Sequence, residues 1–148
     1  MKRNTVSPKK HLGQHFLNDA AIAKSIADAV TCHSAKTILE VGPGTGALTT
    51  HLIERFGPRL LALDVDTESV AHLKDESWID PEQIVHADIL KTPLDQLTDE
   101  DEIVIVGNFP YNISSQILFR ALDWRENCME VVGMFQKEVA ERVCAPHG

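Results

Sequence analysis

Apolar positions along the chain fall into short blocks that switch between two periods. Ile22, Ile26 and Val30 recur as one helix face over residues 20–30, with Asn18 or Asp19 able to cap it. Residues 37–41, Thr-Ile-Leu-Glu-Val, are short and rich in branched side chains, which predicts a buried strand. They run into Gly42-Pro-Gly-Thr-Gly46, after which residues 47–56 read as a helix. Residues 59–63 predict a second strand, ending at Asp64-Val-Asp66, and Thr67 can cap a helix that runs to about residue 74. Ile84 and Val85 make a short third strand, followed by His86-Ala-Asp88. The acidic stretch 95–102 reads as a solvated turn region. Residues 102–106 predict a fourth strand that opens onto Gly107-Asn-Phe-Pro-Tyr-Asn112. Ser114 or Ser115 can cap a helix to about Leu122, residues 131–135 predict a fifth strand, and residues 137–143 start another helix.

Strands alternating with helices predict an α/β fold, a parallel sheet covered on both faces. In such sheets ligands sit beyond the carboxyl ends of the strands, where the winding reverses. The glycine loop, the acids and the Asn-Phe-Pro-Tyr segment all fall at strand ends.

Composition narrows the class only a little. Of 148 residues, 43% are hydrophobic and 24% charged, as in ordinary globular proteins. No apolar run approaches the roughly 20 residues of a membrane span, and residues 1–14 lack the apolar core of a signal peptide. A cytoplasmic protein is the simplest reading. Cys32, Cys128 and Cys144 are too few and too far apart for a disulfide framework or a zinc pattern, and no metal site is expected. The net charge of −8 has the wrong sign for phosphate contacts. Lys2, Arg3, Lys9 and Lys10, however, stand in the first ten residues with no acid among them. They form either a basic arm that touches RNA or a solvated tail.

Gly42, Gly44 and Gly46 let the backbone turn sharply and approach a ligand closely. The spacing is neither the dinucleotide fingerprint nor a phosphate loop, which would need a Lys followed by Ser or Thr. Asp64 ends the second strand, where a carboxylate can accept hydrogen bonds from two ribose hydroxyls. Asp66 is a rival for that role. Asp88, at the end of the third strand, can accept from an exocyclic adenine amine. The three features together fit an adenosyl cofactor without a phosphate.

Asn108, Pro110 and Tyr111 suit methyl transfer to an aromatic amine. Its lone pair is delocalised into the ring, so the amine is a poor nucleophile. Two acceptors, the Asn108 side-chain oxygen and the Pro110 carbonyl, can hold its N–H groups and turn the lone pair out of the ring plane. Tyr111 offers a face for an extruded base, and such stacking is worth roughly 1–3 kcal/mol. Pro110 restricts its own φ and the conformation of Phe109, so the acceptors are pre-set. No strong general base is needed, because the amine proton becomes acidic once the methyl is attached.

Five segments occur in order: residues 10–18 (Lys-His-Leu-Gly-Gln-His-Phe-Leu-Asn), residues 39–49 with the glycine loop, Ala87-Asp-Ile89, residues 107–114 and residues 136–142. Together they resemble the rRNA adenine N6-dimethyltransferase family that acts on small-subunit rRNA. The resemblance implies a Rossmann-like, class I S-adenosylmethionine-dependent methyltransferase sheet in the order 3-2-1-4-5. It implies transfer of two methyl groups to each of two adjacent adenines near the 3′ end of that RNA, within a pre-30S-type particle, by a monomer. It assigns His15, Leu17, Gly42, Asp64, Asp88 and Asn108 to the cofactor, and Asn108, Pro110 and Tyr111 to catalysis. Asn often stands in the family at the position of His15, and Glu at that of Asp64. Residues 1–17 are then a basic, cofactor-contacting arm and 18–148 an incomplete methyltransferase domain. The family continues with two more strands and a helical domain, so the chain reads as a fragment whose apolar, uncharged fifth strand is an exposed edge and whose activity is doubtful. The rival readings are the large-subunit rRNA methyltransferase of macrolide resistance, a non-catalytic RNA-binding assembly factor, and a small-molecule or DNA amino-methyltransferase. The segments 13–19 and 107–111 favour the small-subunit type.

Overall fold

The branched and leucine-rich runs form five strands, and every pairing among them is parallel. A computed structural model describes residues 20–109 and 113–134. In chain order the elements are α1 (Ala20–Ala29), β1 (Thr37–Val41), α2 (Ala47–Phe56), β2 (Leu60–Asp64), α3 (Thr67–Lys74), β3 (Ile84–His86), α4 (Leu94–Leu97), β4 (Ile103–Asn108), α5 (Ser114–Asp123) and β5 (Cys128–Met134). The sheet order is β3-β2-β1-β4-β5, as expected.

A parallel strand can be rejoined only by crossing a face of the sheet, so the central strands are covered on both sides. All five residues of β1 and the first five of β4 are buried. Their side chains alternate between two cores. Ile38, Leu60, Val104 and Val106 pack with Ala23, Ile26, Leu48 and Leu52 of α1 and α2. Leu39, Leu63, Ile103 and Ile105 pack with Ile117, Ala121 and the buried Ile89 on the α5 side. Full burial of each large aliphatic chain contributes roughly 1.5–3 kcal/mol. A smaller cluster of Val70, Leu73, Ile79 and Ile84 seats α3 against β3.

Several local expectations change. The stretch 95–102 is not all turn: α4 forms at its start, and Leu94 and Leu97 pack on the α5-side core. Asp66, not Thr67, caps α3, because its carboxylate accepts from the Glu68 N–H at 3.3 Å and the Ser69 hydroxyl at 3.0 Å. Neither Ser114 nor Ser115 caps α5; the cap position is Ile113, which makes no side-chain capping bond. β5 begins at Cys128, three residues before Val131, and so it carries a charge, Glu130. That carboxylate accepts from the Thr31 N–H at 2.9 Å, the Thr31 hydroxyl at 2.7 Å and the Cys32 N–H at 3.0 Å. The edge strand is thereby tied to the loop after α1. The cap at Asn18 or Asp19, the end of the fifth strand at Phe135 and the helix at 137–143 lie outside the described residues. Among the described residues no helix is long and apolar enough to cross a membrane.

Candidate functional site

The sheet order places the chemistry-bearing residues in a row along one rim. Asp64 and Asn108 are the last residues of β2 and β4, Gly42 follows β1, and Asp88 lies two residues beyond β3. Neighbouring strands therefore present Asp88, Asp64, Gly42 and Asn108 in that order. At about 4.8 Å per strand the row extends roughly 14 Å, enough for a nucleoside with a short tail.

Three glycines turn the chain off β1, with φ of 71° at Gly42, 56° at Gly44 and 93° at Gly46. The first and last serve different ends. Among the described residues a Cβ at Gly42 would meet nothing within 4 Å, which leaves room for a ligand beside it. A Cβ at Gly46 would stand 2.9 Å from Leu73 Cδ2 and 3.1 Å from Trp78 Cη2, so that glycine is required by packing. Between them the Gly44 N–H donates to Asp64 Oδ2 at 3.3 Å, fastening the loop to the end of β2.

Asp64 is only 3% exposed. Its Oδ1 accepts from the Asp66 N–H at 3.0 Å. Burial pushes its pKa up, against the backbone N–H bonds from Asp66, Gly44 and Val65. A carboxylate has about four acceptor sites, so Asp64 keeps acceptor capacity beside these backbone bonds. Asp66 has both oxygens engaged in capping α3. Asp88 is half-buried, and its Oδ1 accepts from the Leu90 N–H at 2.9 Å.

Glu40 is a buried acid that the sequence reading passed over. It is 1% exposed in the middle of β1 and accepts from the Thr49 hydroxyl at 2.6 Å. Burial pushes its pKa up to about 8; the Thr49 bond opposes this and the Asp64 charge adds to it. The available signal was a carboxylate within an otherwise apolar five-residue strand.

On the other side of Gly42, Asn108 is half-buried and pairs in register with Met134. The next residue, Phe109, is buried and anchors the start of the loop. Its ring lies against Gly107 and Gly133: a Cβ at Gly107 would be 3.2 Å from Phe109 Cε1, and one at Gly133 would be 2.9 Å from Phe109 Cδ2. The predicted site residues His15, Leu17, Pro110 and Tyr111 lie outside the described residues.

A groove of about 390 Å³ opens at the opposite, amino-terminal ends of the strands, lined by Thr37, Arg59, Gln83 and Thr98 among others. These four are already engaged within the protein. Gln83 donates to the Gly57 and Leu60 carbonyls, Arg59 to those of His33 and Ala35, and the Thr37 and Thr98 hydroxyls meet at 2.9 Å.

The family model for ribosomal RNA adenine dimethylase matches residues 6–148. The chain belongs to this family. The ribosomal RNA small subunit methyltransferase A of Cytophaga hutchinsonii is 50% identical over 144 residues, covering 97% of this chain and 55% of that protein. The protein of the same name from Flavobacterium johnsoniae is 46% identical over 143 residues, covering 97% and 54%. The chain thus spans about half the length of these dimethylase relatives. Among solved structures, the 23S rRNA methyltransferase ErmE superposes with a TM-score of 0.72 at 27% identity, covering 86% of this chain and 50% of that one. A dimethyladenosine transferase from Plasmodium falciparum gives 0.65 at 28% identity, covering 89% and 46%. The fold is accordingly the Rossmann-like sheet of class I methyltransferases, and the row from Asp88 to Asn108 stands along its carboxyl-end rim.

Proposed function

We propose that the chain forms the donor-binding and catalytic half of an S-adenosylmethionine-dependent methyltransferase that dimethylates the N6 amines of two adjacent adenines near the 3′ end of small-subunit rRNA. The observation that carries this reading is the row of Asp88, Asp64, Gly42 and Asn108 on adjacent strand ends. A buried carboxylate with lone pairs to spare and an open face at Gly42 suit a sugar and its short tail. The bound donor supplies an electrophilic methyl group.

Asp64, the last residue of β2, accepts the ribose hydroxyls, whereas Asp66 stands at the start of α3 as its cap. Asp88 accepts the adenine amine of the donor. Asn108 contacts the donor and also accepts one N–H of the target amine through its side-chain oxygen; the Pro110 carbonyl accepts the other. Tyr111 stacks on the extruded base. His15 and Leu17, in a basic arm of residues 1–17, contact the donor, and residues 18–148 make the methyltransferase domain. Catalysis is then positioning and electrostatics rather than proton abstraction. The substrate in this reading is a pre-30S-type particle, in the cytoplasm.

The relatives at 46–50% identity are named small-subunit methyltransferases, which supports the small subunit as target. Methyl incorporation into separate undermethylated small and large subunits tests it. The expected result is transfer to the small subunit alone, abolished by Asn108→Ala with RNA binding nearly intact. Asp64→Ala should weaken donor binding by about tenfold or more in isothermal titration. Undiminished methylation by the Asn108 variant would overturn the mechanism and favour a non-catalytic assembly role.

A further inference from the structure

Asp88 lies beyond the reach of the sheet. Among the described residues β3 is an edge strand of three residues that pairs only with β2, and the last backbone bond tying its exit to β2 runs from the Ala87 N–H to the Asp64 carbonyl. After that the chain makes a tight turn. The Asp88 carbonyl accepts from Lys91 and Thr92, and its carboxylate from Leu90. Such a turn holds its own shape, while the buried Ile89 seats it on the α5-side core.

A cation from the other half of the molecule spans this turn. Arg120 of α5 donates through Nε to the Ile89 carbonyl at 2.9 Å and through Nη2 to the Thr92 carbonyl at 2.6 Å. The guanidinium thus grips the turn near both of its ends, 31 and 28 residues away in sequence. It is itself held, stacked 4.5 Å above the Trp124 ring with Asp123 at 3.9 Å from Nη1. The Arg120 side chain is 20% exposed, so these bonds form largely out of water. A planar fork that meets two carbonyls cannot be reproduced by the single ammonium of a lysine.

We infer that Arg120 is a positioning residue for base recognition: it sets the height of the Asp88 carboxylate against the adenine amine of the methyl donor. This rests on the proposed reading of Asp88. Arg120 itself touches no reactant. It also ties the turn on the donor side to α5, the helix that follows the Asn108–Tyr111 segment.

The test compares S-adenosylhomocysteine with S-inosylhomocysteine, in which the purine amine is replaced by a carbonyl oxygen and the adjacent ring nitrogen gains a hydrogen. Their affinities are measured by isothermal titration for the wild type, Arg120→Met and Arg120→Lys. A hydrogen bond to a charged group is worth about tenfold or more, so the wild type should prefer the adenine form by at least that factor. Arg120→Met should lose about tenfold for the adenine form and little for the inosine form, so that the preference falls within about threefold. Arg120→Lys should be intermediate, and it keeps the charge should the methionine variant fold poorly. An equal loss for both compounds would mean a general structural role and overturn the inference. So would a lysine variant that discriminates as well as the wild type. A wild type without any preference would instead overturn the reading of Asp88, and this inference with it.

Discussion

Gly133 on β5 leaves the space that the ring of Phe109 fills. A Cβ at Gly133 would collide with the Gly107 carbonyl oxygen and with the edge of that ring. The residue that begins the proposed base-catching loop is thus seated by the absence of a side chain on the neighbouring strand. Gly133→Ala is expected to destabilise the protein by about 1–3 kcal/mol through overpacking. Phe109→Leu in the same chain should recover part of that loss, while each change alone lowers methylation. Urea melts of the two single variants and the double variant check the coupling; strictly additive losses would show that the ring and the glycine do not share that space.

Gly42 and Gly46 should respond to alanine in opposite ways. At Gly46 the added methyl meets Leu73 and Trp78 at a φ of 93°, so Gly46→Ala should cost about 2–4 kcal/mol of stability from strain and crowding together. At Gly42 it enters open space at a φ of 71°, and the stability cost should be only about 1–2 kcal/mol. Gly42→Ala should instead weaken donor binding by about tenfold or more, because the methyl occupies the cleft. Thermal melts paired with titration of S-adenosylmethionine separate the two outcomes.

Glu40 makes the protein less stable as the solution becomes more alkaline. Its folded pKa is about 8 against an ordinary 4.5. Between those values the folded state holds a proton that the unfolded chain has released. Stability should therefore fall as pH rises through that window, by at most about 1.4 kcal/mol per pH unit from this group. Glu40→Gln should remove that component of the slope and keep an acceptor for the Thr49 hydroxyl. Denaturant melts between pH 5 and pH 9 check it, and an unaltered slope in the variant would contradict a buried, protonated Glu40.

Glu130 has the opposite sign. Burial raises its pKa, but the bonds from Thr31 and Cys32 outweigh burial, and the net shift is downward from 4.5. A depressed carboxylate contributes stability above its unfolded pKa and loses it as pH falls through the folded value. Glu130→Ala should cost about 1–2 kcal/mol at pH 7 and much less in strong acid. Melts of this variant at pH 7 and near pH 3 give the comparison.

The frame of this protein was legible because its signals are local. The run Thr37–Val41 followed by three glycines announces a buried strand and a sharp exit. Acids at successive strand ends mark the rim of the sheet. What escaped depends on partners far along the chain. Nothing near Glu130 says that Thr31, 99 residues away, will donate to it. Nothing near Arg120 points to the carbonyls of Ile89 and Thr92. That Asp66 would cap α3 was not legible either, because Thr67 is an equally acceptable cap by composition. Glu40 was passed over because a branched, apolar run reads as packing, and one carboxylate inside it does not disturb the pattern.

The winding also imposes a schedule. β1, β2 and β3 are neighbours along the chain and in space, whereas β4 must wait to fill the vacant side of β1. A ribosome synthesises from the amino end, so Gly42, Asp64 and Asp88 emerge before Asn108 exists. The nascent chain thus presents the proposed nucleoside cradle first, with one flank of its central strand still bare, and gains the proposed place for the recipient purine only when the fourth strand docks.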